Sequence, residues 1–76
     1  MADLSKLGAG PWNASGATLT REEVLAVLAA MPDTAAMCKA LGVKSLTSTR
    51  KPDRALALLK RAGLAKYANR QWNRIE

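Results

Sequence analysis

Val24, Val27, Leu28 and Met31 recur at the i, i+3, i+4, i+7 spacing of a buried helical stripe, and Leu25 widens it. Thr20 and Glu23 have the spacing of a capping box, in which each side chain satisfies a backbone N–H at the helix start. Leu19 and Val24 are spaced for the accompanying hydrophobic staple, and Glu22 and Glu23 oppose the positive end of the helix dipole. Pro32 ends the segment, because the residue before a proline is pushed out of the α region. A second, shorter helix is predicted from Asp33 or Thr34, either of which can cap it, to about Leu41. Met37, Ala40 and Leu41 form its inward face and Lys39 points outward; Gly42 supplies the left-handed residue that closes it. Cys38 acts there as a small apolar group.

The polar, basic link from Val43 to Lys51 is expected to dip Val43 and Leu46 into the core. A third helix follows, with two possible starts. Ser48 caps it, with Pro52 in the first turn where a missing N–H is tolerated, or it begins at Pro52 itself. Beyond Pro52, Ala55, Leu56, Leu59 and Ala62 share one face, while Arg54, Ala57 and Arg61 lie opposite with Leu58 at the edge. Gly63 closes this helix. Leu64 to Tyr67 reads as a strand, 68–71 as a polar turn, and Trp72 to Ile75 as a returning strand. Trp72 and Ile75 fall on opposite faces of a regular strand, so a bulge or early fraying is expected.

Before the first helix, residues 1–17 carry Gly8, Gly10, Pro11 and Gly16 among small side chains, the composition of a mobile arm preceding a domain over 18–76. Trp12 is the exception: it either docks on the domain or serves as a hook for a partner.

Charge changes the picture. Residues 1–38 place Lys6 and Arg21 against Asp3, Glu22, Glu23 and Asp33, a net −2, whereas residues 39–76 place ten Lys or Arg against Asp53 and Glu76, a net +8. Such asymmetry points to a polyanionic partner met by the C-terminal half. Catalytic chemistry is poorly provided for. With no His and one Cys there is no zinc constellation, no disulfide and no His-based triad, and no glycine-rich phosphate loop is present. We therefore expect neither enzymatic activity nor a cofactor or metal. No apolar run is long enough to span a membrane and no secretion signal is evident, which places the protein in the cytoplasm.

A short helix closed by Gly42, a basic leucine-bearing helix closed by Gly63-Leu64, and a hairpin bearing Tyr67 and Trp72 together resemble the winged helix-turn-helix family over about residues 19–75. The resemblance implies a mainly α fold of three helices with one small β-hairpin, the third helix entering the DNA major groove and the wing touching backbone or minor groove. The chain departs from the family in its link, which separates Gly42 from Gly63 by about four residues more than the pattern. Residues expected at the DNA are Lys44, Ser48, Thr49, Arg50 and Lys51 of the link, Arg54 and Arg61 of the helix, and Lys66, Arg70 and Arg74 of the wing. Arg54, nearer the helix start, is the first choice for reading a base. The expected function is that of a small sequence-specific regulator of prokaryotic or phage type, bound to double-stranded DNA as a monomer or homodimer. The alternative is an interaction module whose basic face binds an acidic protein such as transcription machinery. RNA is the least favoured partner, because the exposed aromatics that stack unpaired bases are scarce in the sequence.

Overall fold

The computed structural model describes residues 4–14, 16–47 and 50–75. A 3-10 turn, Leu4–Leu7, leads into a hairpin of β1 (Trp12–Ala14) and β2 (Ala17–Leu19). Three helices follow, α1 (Arg21–Ala30), α2 (Thr34–Leu41) and α3 (Arg50–Arg61), and a second hairpin of β3 (Ala65–Ala68) and β4 (Gln71–Arg74) ends the chain. The architecture is mixed α/β, with three helices and two separate two-stranded antiparallel sheets.

The helix ends lie where local chemistry puts them. Thr20 Oγ1 accepts the Glu23 N–H at 3.2 Å and Glu23 Oε1 accepts the Thr20 N–H at 3.0 Å, completing the capping box. Leu19 and Val24, the staple pair, are both fully buried. Asp33 caps α2 by accepting the Ala36 N–H at 3.2 Å. At Gly42, φ is +69° and the N–H groups of Gly42 and Val43 turn back onto the carbonyls of Lys39 and Cys38, the double bond of a Schellman motif. Gly63 and Leu64 repeat the arrangement on the carbonyls of Lys60 and Leu59. Arg50 and Lys51 are helical, and Pro52 sits buried in the first turn of α3. Of the two starts open to the sequence, the one at Pro52 is thereby ruled out; Ser48 and Thr49 lie outside the described residues.

Ala55, Leu56, Leu59 and Ala62 turn inward as their spacing predicts, against Val24 and Val27 of α1, Met31 just beyond its end, and Met37 and Leu41 of α2. Val43 and Leu46 of the link pack on the rim of this core.

Two expectations need correction. The segment read as an arm, 1–17, contributes a turn and a strand: Leu7 and Ala14 are buried, β1 pairs Trp12 with Leu19 and Ala14 with Ala17, and Arg21 Nε donates to the Gly8 carbonyl at 2.9 Å. The fold therefore has two hairpins, where one was expected. Gly10 is there for close approach. Trp12 packs against the core with its ring over Gly8 and Gly10, and a Cβ on Gly10 would lie 2.9 Å from that ring, at φ +66°. Gly10→Ala combines this clash with a disfavoured left-handed backbone, and is expected to cost about 1–3 kcal/mol. Chemical denaturation followed by tryptophan emission tests it, and an unshifted midpoint would mean that Trp12 is not seated on the glycine.

The second correction concerns the last strand. The β3–β4 register runs unbroken from Ala65↔Arg74 to Ala68↔Gln71, and the Ile75 N–H extends it to the Leu64 carbonyl at 2.9 Å. The conflict between Trp72 and Ile75 resolves without a bulge, because Trp72 packs on the core and Ile75 is left exposed. The turn is also tighter than the expected 68–71: Ala68 and Gln71 pair, leaving Asn69 and Arg70 as a two-residue loop.

Candidate nucleic-acid interface

The exposed side of α3 carries Arg50, Asp53, Arg54, Ala57, Lys60 and Arg61, with Ala57 the small residue among long ones. Helical geometry puts 50, 54, 57 and 61 on one stripe, opposite Leu59. Arg54 and Arg61 lie on the outer face as their spacing predicts, and Arg50, which the sequence left in the link, joins them as the first residue of α3. Asp53 was not expected. It is exposed on the same side and meets Arg50 at 3.8 Å, a surface ion pair of small energetic weight. Its carboxylate subtracts one charge from the stripe and adds a hydrogen-bond acceptor to it. A helical wheel drawn from Pro52 already includes it, about 40° from Ala57.

Lys51 leaves the site. Its ammonium is directed to Glu23 of α1, the residue that also closes the capping box, and both side chains are largely buried in the pair. One turn of helix thus divides its cations: Arg50 and Arg54 face out, while Lys51 ties α3 to α1. Partial burial acting alone would raise the Glu23 carboxyl. The hydrogen bond and charge of Lys51, with the Thr20 N–H and hydroxyl, outweigh it and hold the carboxyl below its ordinary value. A carboxyl depressed by folding stabilises the native state above its unfolded value, about 4.3, and loses that contribution as pH falls through the lower folded value. Melting temperature should therefore drop between about pH 5 and pH 2 more steeply in the parent than in Glu23→Gln. Parallel profiles for the two would remove Glu23 from the acid response.

The C-terminal hairpin places its cations differently from expectation. With Tyr67 opposite Trp72 and Ala65 opposite Arg74, these four residues share one face; Lys66, opposite Asn73, lies on the other. Lys66 and Arg74 therefore cannot line up along a single phosphate strand. Arg70 occupies the tip, with φ +63° beside Asn69 at +53°. These are the angles of a type I′ turn, whose left-handed geometry at both positions Asn tolerates and Arg resists by about 1–2 kcal/mol. Lys44 is exposed in the α2–α3 link but lines neither cleft beside α3. Ser48 and Thr49 fall outside the described residues.

The outer ridge of α3 runs between the two hairpins, with a cleft on each side. Asn13 and Ala14 of β1 face Arg50, Asp53, Arg54 and Ala57 across one, of about 310 Å3. The other, of about 470 Å3, lies between α3 and the C-terminal hairpin. Leu46, Leu56, Ala57, Tyr67 and Trp72 line it, with Lys60 and Arg70 as its cations. Tyr67 and Trp72 meet edge to face, ring centroids 5.4 Å apart at 60°. Tyr67 nevertheless remains 57% exposed. Neither aromatic was among the residues expected at the site, although strands ending at Tyr67 and resuming at Trp72 already set the two opposite each other. Among the described residues no group of His, Cys, Asp and Glu is arranged to hold a metal ion, and no helix is long and apolar enough to cross a membrane.

No protein-family model, curated protein or solved structure matches this chain.

Proposed function

We propose that this protein is a winged helix-turn-helix module that binds double-stranded DNA as a small transcriptional regulator of prokaryotic or phage type. In this reading α3 enters the major groove and the C-terminal hairpin is a wing on the backbone. The observation that carries it is the stripe of Arg50, Arg54 and Arg61 around Ala57 on the exposed side of α3. A small residue between long planar donors lets a helix approach base edges closely, and the guanidinium fork matches guanine O6 and N7. The order of elements, with a Gly-closed α2, a basic α3 and then a hairpin, supports the same reading.

Arg54 and Arg61 are assigned to the groove, and Arg70 at the wing tip to phosphate. Arg54→Ala or Arg61→Ala should weaken binding to a selected site by about 1–3 kcal/mol and relax preference at one base pair. Arg70→Ala should weaken all sequences alike and lower the slope of log affinity against log salt by about one unit. Lys51→Ala is the counterpart outside the interface: it should lower stability and leave the salt slope unchanged. Titration of selected and scrambled duplexes at several salt concentrations separates these outcomes. A parent that binds no duplex at low salt, or arginine variants that bind like the parent, would remove the DNA reading in favour of an acidic protein partner.

A further inference from the structure

We propose that the cleft between α3 and the C-terminal hairpin is a binding site for an unpaired nucleobase, carried on a strand whose phosphates lie against Lys60 and Arg70. This deepens the DNA-binding reading and rests on it. At about 470 Å3 the cleft is within the range of sites that enclose small organic ligands. Its lining is mostly apolar, through Leu46, Leu56 and Ala57, with Thr47 and Gln71 adding hydrogen-bonding groups for a base edge.

Tyr67 points most directly to the occupant. A chain without Phe has few large rings to spend on its core, yet Tyr67 is left the most exposed of its three aromatics. Its edge-to-face contact with Trp72 orients the ring without the mutual covering of a parallel stack. Stacking on such a ring asks of a base only a π-face, so the site is tolerant of base identity. Arg70, next to the cleft, is held in a left-handed conformation that glycine would adopt more easily, and strain of this kind gathers at ligand-contacting segments.

Charge selects a nucleotide over an apolar peptide. Lys60 and Arg70 outnumber Asp53 in the lining, and Arg61 and Arg74 continue the positive surface on the flanking elements. A strand running between a helix in the groove and a wing on the backbone would cross the mouth of this cleft. An unpaired nucleotide at that point could turn its base onto Tyr67.

The test titrates the protein at low salt into two duplexes of one sequence, one fully paired and one carrying a single unpaired 2-aminopurine. The unpaired duplex should bind about 5- to 150-fold tighter, with its emission quenched by stacking. Tyr67→Ala should abolish the preference and the quenching while changing affinity for the paired duplex less than about twofold, and Tyr67→Phe should keep both. The two measurements on the parent stand whether or not the alanine variant folds. Equal affinity for the two duplexes, or a probe that stays bright when bound, overturns the base site and leaves duplex binding in place. Failure to bind either duplex overturns the DNA reading beneath it. No response to DNA, together with binding of an acidic peptide bearing an aromatic residue, assigns the cleft to a protein partner and also overturns the proposal.

Discussion

Leu59→Ala should destabilise the domain by about 2–5 kcal/mol, the range for truncating a buried leucine that leaves a cavity its neighbours fill only partly. Leu59 has no exposed surface, and its carbonyl also takes the Leu64 N–H that closes α3. It faces the core on the helix that the proposed function places in the groove, so softening its seat should loosen the arginine stripe as well. A chain of 76 residues has about 4–11 kcal/mol of stability in all, so the loss is a large fraction of the whole. Urea unfolding by far-ultraviolet circular dichroism measures it. A near-parental midpoint would mean that α3 presents another face to the core.

Deleting residues 1–16 should be at least as damaging, contrary to what a glycine-rich arm implies. The deletion removes Leu7 and Ala14 from the core, takes away the strand that covers Leu19, and breaks the Arg21–Gly8 hydrogen bond. Returning one leucine to water costs about 1.5–3 kcal/mol, and the seated Trp12 ring adds to this. We expect a total of about 3–5 kcal/mol, seen as a lower midpoint and a smaller m-value, since less surface is then buried on folding. A truncated chain that unfolds with the parental midpoint would return 1–16 to the status of an appendage. The cleft beside Arg50 and Arg54 has Asn13 and Ala14 as its far wall, so the deletion also opens one side of the proposed interface.

Where the two readings of this protein agree, the determinants are local. The capping box of Thr20 and Glu23, the Asp33 cap and the glycine stops at 42 and 63 are interactions between residues a few positions apart, and they are settled by the chain itself. The buried stripe of α3 was legible for the same reason. A period of 3.6 residues converts an order of apolar and charged side chains directly into faces, and Arg54 and Arg61 could be set opposite Leu59 without knowing what Leu59 touches.

Where they part, the deciding contacts span the chain. Glycine-rich composition in 1–17 has the same appearance whether the segment is loose or the glycines make room for a ring, and only Trp12 lying over Gly8 and Gly10 distinguishes the cases. Lys51 and Arg50 are adjacent cations in the sequence; the position of Glu23 on a different helix is what withdraws one of them from the interface. The register of β3 with β4 follows from the predicted strands, but which face of the hairpin turns to α3, and hence that Tyr67 and Trp72 line a cleft there, is set by packing. Local periodicity and capping therefore determined the helices, and the order of charged residues made the C-terminal half basic. Tertiary packing decided which cations stay exposed on α3 and that an aromatic cleft stands beside them, because burial and ion pairing between distant segments act through space and leave no trace in spacing along the chain.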